Sequence, residues 1–102
     1  MIDNNGFLKL TDFGLSKDGM NRKKRAFTLT GTSEFMAPEV LEQSKEGYDF
    51  AYDWWSFGCV LYDLLCGSTP FHSMNCNILK QNILNSEPKF PSHITMEARS
   101  II

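Results

Sequence analysis

Apolar residues recur at helical spacing most strongly over residues 53–66, where Trp54, Phe57, Leu61, Leu64 and Leu65 share a face. Val60 and Trp55 widen that face almost all round, which predicts a helix buried at the centre of its fold. Gly67 ends the pattern and Pro70 prevents its continuation. A second amphipathic helix is predicted over residues 74–85, through Ile78, Leu79, Ile83 and Leu84. Pro88 and Pro91 bracket a loop. Thr95 then has the chemistry of an N-cap, with Glu97 in the first turn, for a last helix over residues 95–102. Upstream, Pro38 suits the first turn of a short helix over residues 37–43.

The first third of the chain has a different pattern. Asn4-Asn5-Gly6 is a turn signal, and residues 7–11 are extended in character, so a strand is predicted there. Only Met1 to Asp3 precede the turn as its hairpin partner. From Asp12 to about Met36 no period persists, and a loop that long is commonly functional. The strand short of a mate, and a last helix still apolar at Ile101 and Ile102, give the expectation of a mainly α unit truncated at both ends. Internal repeats, low-complexity segments and linkers are absent from the sequence.

Composition narrows the function classes. The 102 residues are 42% hydrophobic and 22% charged, which suits a folded chain rather than a disordered tail. A net charge of -2 gives no electrostatic case for nucleic acid, and the basic run NRKKR at 21–25 is too short to change that. Cys59, Cys66 and Cys76 form no C-x-x-C pair, which favours reduced thiols in a cytoplasmic or nuclear compartment over zinc or disulfides. Residues 1–10 lack the pattern of a signal peptide. The longest apolar stretch, 54–65, is too short and, with Ser56 and Asp63, too polar to cross a bilayer.

Asp12-Phe13-Gly14 and Ala37-Pro38-Glu39 are each weak motifs alone. Their order and separation are more specific, with Thr28-Leu29-Thr30-Gly31-Thr32 between them and Asp53-Trp54-Trp55 after them. The first two belong to the known signature set of protein kinases, which places a phosphosite between them. The chain resembles eukaryotic serine/threonine protein kinases. Within them GFLKLTDFGLSK, TLTGT and DWWSFG are most similar to the AGC group, that of the cyclic-nucleotide-dependent, S6 and Akt kinases. The resemblance implies a partial kinase C-lobe: a short β-hairpin remnant at 1–11, an activation segment at 12–39 and three to four helices. It also implies transfer of the ATP γ-phosphate to Ser or Thr in basic-context protein substrates. ATP and Mg²⁺ are then the cofactors, and protein substrates and an upstream activating kinase the partners.

The resemblance assigns roles to single residues. Asp12 would ligate Mg²⁺, with Phe13 and Gly14 in the cofactor-binding loop; a carboxylate suits that hard cation. Thr28 would be the regulatory phosphosite, and Arg25-x-x-Thr28 with Lys23 and Lys24 upstream resembles a target of a basophilic kinase. Thr32 would support the catalytic aspartate and lysine, which makes Ser or Thr the acceptor. Leu29, Ser33 and Met36 would line the pocket for the residue after the acceptor, although close AGC relatives usually have proline at the place of Ser33. Glu34 and Asp63 would read substrate arginine by charge-assisted pairing. Asp53 and Glu39 would be structural, Asp53 accepting backbone N–H groups and Glu39 pairing with a distant arginine. No G-x-G-x-x-G, no V-A-I-K-like lysine and no H-R-D occur in the 102 residues. The chain alone is therefore expected to bind no cofactor and to be inactive. The alternative is a non-catalytic, kinase-derived binding or regulatory fragment.

Overall fold

Among the described residues of the computed structural model four α-helices follow in order: α1 (Pro38–Leu41), α2 (Ala51–Cys66), α3 (Cys76–Asn85) and α4 (Met96–Ile101). The structure describes residues 1–21, 24–43 and 45–102; Arg22 and Lys23 of the basic run, and Ser44, lie outside the described residues. Two 3-10 turns, Phe13–Leu15 and Ser33–Phe35, interrupt the long loop. The helices have recognisable starts and stops. Pro38 opens α1. Asn75 caps α3 by accepting N–H bonds from Asn77 and Ile78 at 2.9 and 3.2 Å. Thr95 does the same for α4 through the Ala98 N–H. Gly67, at φ 79°, closes α2 in the left-handed conformation, and its N–H donates to the Asp63 carbonyl at 2.8 Å.

Two apolar clusters form the core. One is built from Met36, Ala37 and Val40, the other from Phe71, Leu79 and Ile83, and both pack against Leu41 and Trp55. Trp55 stacks on Phe71 with ring centroids 5.9 Å apart and planes 9° from parallel. Farther along α2, Cys59 and Tyr62 are buried on the same face as Trp55. Tyr62 tilts against Phe90 at 5.3 Å and donates its hydroxyl to the Lys89 carbonyl, which ties the Pro88–Pro91 loop to α2.

The structure departs from the sequence pattern in the cover of α2 and in the expected strand. Burial of α2 all round is not seen: Trp54 is 68% and Leu64 76% exposed, with Phe57, Val60 and Leu65 also open. The described elements cover only the face carrying Trp55, Cys59 and Tyr62, and apolar periodicity cannot tell a covered face from an uncovered one. The strand expected at 7–11 reduces to a single antiparallel bridge, Ile2 with Leu8. The Asp3 carboxylate holds the turn there, accepting the Asn5 and Phe7 N–H groups at 2.9 Å each, and the Phe7 bond keeps its carboxyl below the usual carboxylate range.

Phe71→Ala is expected to destabilise the chain by about 3 kcal/mol, since it empties the centre of one cluster and removes the ring stacked on Trp55, which both clusters share. Asn75→Ala is expected to cost about 1 kcal/mol through loss of the α3 cap. Urea unfolding followed by tryptophan emission checks both. Burial pushes the Cys59 thiol up to about 11, whereas Cys76 is exposed. Alkylation at mildly alkaline pH, read by peptide mass, is therefore expected to label Cys76 first and Cys59 only after unfolding.

Candidate functional site

Asp12 carries the clearest backbone signal in the long loop. It adopts φ 63° and ψ 67°, a left-handed conformation uncommon for a residue with a side chain. Such strain costs on the order of 1 kcal/mol and clusters at functional positions. The turn Phe13–Leu15 follows at once, closed by the Ser16 N–H and hydroxyl on the Phe13 carbonyl at 3.0 and 2.6 Å. Asp12 and Phe13 are both exposed, so Phe13 does not fill the core. Among the described residues no group of three or more His, Cys, Asp or Glu side chains comes together to hold a metal. Asp12 thus offers an exposed carboxylate that belongs to no such group. That donor suits Mg²⁺, which takes one or two protein carboxylates beside phosphate and water oxygens.

Thr28 lies in a tethered part of the loop. Ala26 and Tyr48 exchange backbone bonds of 2.8 and 2.9 Å, which pins the loop to the segment before α2. Gly47 permits this approach: it sits at φ +67°, and a Cβ there would lie 2.6 Å from the Ala26 carbonyl oxygen. Arg25 pairs with Asp49 at 3.3 Å beside it. Against this tether, Lys17 Nζ donates to the Thr28 hydroxyl and to the Tyr48 hydroxyl, the latter at 3.2 Å. Tyr48 in turn donates to the Thr28 carbonyl at 2.9 Å. The Thr28 hydroxyl is exposed to solvent with a cationic side chain already against it.

The segment 32–36 is fixed to α2 through the Ser56 hydroxyl, which donates to the Phe35 carbonyl at 2.9 Å. Thr32 leads into the Ser33–Phe35 turn, and its carbonyl accepts the Phe35 N–H at 3.1 Å. Within that turn Glu34 reaches His72, with Oε1 2.6 Å from Nδ1. The three residues assigned to one pocket have unlike surroundings. Leu29 lines a cavity of about 220 Å³ together with Thr28 and Glu39. Ser33 is exposed, while Met36 is buried against Ala37 and Val40. Asp63 is half-buried on α2, and Asp53 is exposed in the first turn of that helix.

Lys17, Tyr48 and His72 were not singled out from the sequence. Each meets its partner across 11 to 38 residues, and no short-range spacing reports such a contact. Tyr48 had one faint signal, its position directly after a glycine in an otherwise polar loop.

Comparison with known proteins gives the same family as the motifs. The family described as "Protein kinase domain" matches residues 1–102. Protein kinase 2 of Dictyostelium discoideum is 44% identical over all 102 residues, which cover 21% of its length. The RAC-beta serine/threonine-protein kinase of Rattus norvegicus is 42% identical over the whole chain, again 21% of its length. Protein kinase C delta type, from the same animal, is 40% identical over the whole chain and 15% of its length. The chain thus spans about a fifth or less of these relatives. With its match to the kinase domain end to end and its relatives among the AGC-type serine/threonine kinases, the chain belongs to the protein kinase family.

Proposed function

We propose that this chain forms the activation loop and substrate-docking ledge of a kinase that phosphorylates Ser or Thr in basic-context proteins, switched by phosphorylation of Thr28. The observation that carries the proposal is Lys17 on the Thr28 hydroxyl, with Tyr48 bracing both. A phosphate there adds about -1.5 to -2 charge and three acceptor oxygens to a site that already holds a cation. Charge-assisted bonds from Lys17 would then order the loop between its tether at Ala26 and the docking segment. Arg25 is committed to Asp49, which leaves Lys17 as the cation in contact with Thr28 among the described residues.

In the same reading Asp12, in its strained turn with Phe13 and Gly14, supplies a carboxylate to the Mg²⁺ that accompanies ATP. Bound ATP supplies the phosphoryl group. Thr32 supports the catalytic centre, Leu29, Ser33 and Met36 shape the ledge, and Glu34 and Asp63 meet substrate arginine. Asp53 and Glu39 hold the lobe together. The free cysteines suit a reducing, cytoplasmic compartment.

Two outcomes test this. Peptide mapping of the cell-derived full-length kinase is expected to find phosphate on Thr28 in the active population, and Thr28→Ala is expected to lower activity by more than about tenfold. An active population with Thr28 unmodified would sink the switch. Phosphoryl transfer is catalysed by positioning and charge stabilisation, and the 102 residues carry no glycine-rich loop, strand lysine or H-R-D base. The 102-residue chain by itself is therefore expected to transfer no radiolabelled phosphate to an arginine-rich peptide; measurable turnover would contradict the assignment of parts.

A further inference from the structure

We infer that His72 sets how Glu34 meets a basic substrate side chain, leaving only one carboxylate oxygen fully open, so that lysine is accepted about as well as arginine at that position. This rests on the proposal above that Glu34 faces substrate arginine. The contact itself is short: His72 Nδ1 lies 2.6 Å from Glu34 Oε1. An ionised carboxylate only accepts hydrogen bonds, so Nδ1 carries the proton and donates whether the ring is neutral or charged.

Neither partner is loosely held. Phe71, one residue before His72, is buried and stacked on Trp55, and Asn82 Nδ2 donates to its carbonyl at 3.4 Å. Glu34 sits within the Ser33–Phe35 turn that Ser56 anchors. Helix α2 therefore fixes both ends of the contact, through Trp55 on one side and Ser56 on the other. The Glu34 side chain still keeps 29% exposure, and the described residues place no other hydrogen bond on its carboxylate.

The chemistry of recognition follows from that half-occupied state. Arginine gains over lysine largely because its planar fork matches both oxygens of a carboxylate. His72 takes one of the two acceptor sites of Oε1 and its ring stands beside that oxygen, so a guanidinium no longer finds both oxygens equally open to its fork and loses geometric advantage over a compact ammonium. His72 acts through Glu34 and is a positioning residue. The ligand class is a basic peptide whose Lys and Arg forms are treated alike at the position Glu34 meets.

The test uses the full-length kinase with peptides that differ only by Arg or Lys at one position at a time. Glu34→Gln marks the position concerned, because there it weakens both basic peptides. At that position the wild type is expected to favour Arg over Lys by less than about threefold, and His72→Ala to raise the ratio to about tenfold or more, through KM rather than kcat. His72→Asn keeps a donor and is expected to stay near the wild-type ratio, which separates the hydrogen bond from a general change at an exposed residue. An unchanged ratio in His72→Ala, or a wild type that already favours Arg tenfold, overturns the inference and leaves the arginine-reading role of Glu34 standing. If Glu34→Gln marks no position, that role itself fails and the inference falls with it.

Discussion

The stack of Trp55 on Phe71 is the contact on which the rest of the arrangement depends. Trp55 and Leu41 are the residues shared by both apolar clusters, so the ring pair joins Met36, Ala37 and α1 on one side to α3 on the other. Aromatic pairs of this kind contribute beyond the area they bury. The consequence here is positional. One residue after Trp55, Ser56 holds the Phe35 carbonyl, and one residue after Phe71, His72 holds Glu34. The loop residues Glu34 and Phe35 are thus held from helix α2 on both sides.

The long loop between Asp12 and Met36 is secured by a different device. One pair of backbone bonds between Ala26 and Tyr48, permitted by Gly47, fixes a point in the middle of an otherwise unpaired stretch. Tyr48 then works twice, as the backbone partner of Ala26 and as the hydroxyl that touches both Lys17 and the Thr28 carbonyl. Its ring lies against Tyr52 of α2 at 5.4 Å, so the loop tether and the helix share a wall.

Helix α2 is covered on one side only by the described residues. One face carries the core, while the opposite face leaves Trp54, Leu64 and neighbouring side chains open. Contiguous apolar surface of that kind marks a place where other protein packs. The relatives are about five times as long or more, and the family's chemistry needs parts that these 102 residues do not contain.

The family was legible in the sequence because its motifs are short, ordered and local: Asp12-Phe13-Gly14, Ala37-Pro38-Glu39 and Asp53-Trp54-Trp55 can be read without knowing what touches what. The helices were legible for the same reason, since periodicity, Pro38, Gly67, Asn75 and Thr95 act within a few residues of themselves. Helix α2 begins at Ala51 rather than Asp53 because the Asp49 carboxylate accepts the Ala51 N–H at 2.8 Å, a local contact that apolar spacing does not encode. Only the tertiary structure decided which face of α2 is covered, that Met36 enters the core, and that Lys17 meets Thr28 and His72 meets Glu34. Those pairings join residues far apart in the chain. They exist because the Trp55–Phe71 contact and the Ala26–Tyr48 tether bring distant segments together, and sequence spacing carries no record of that.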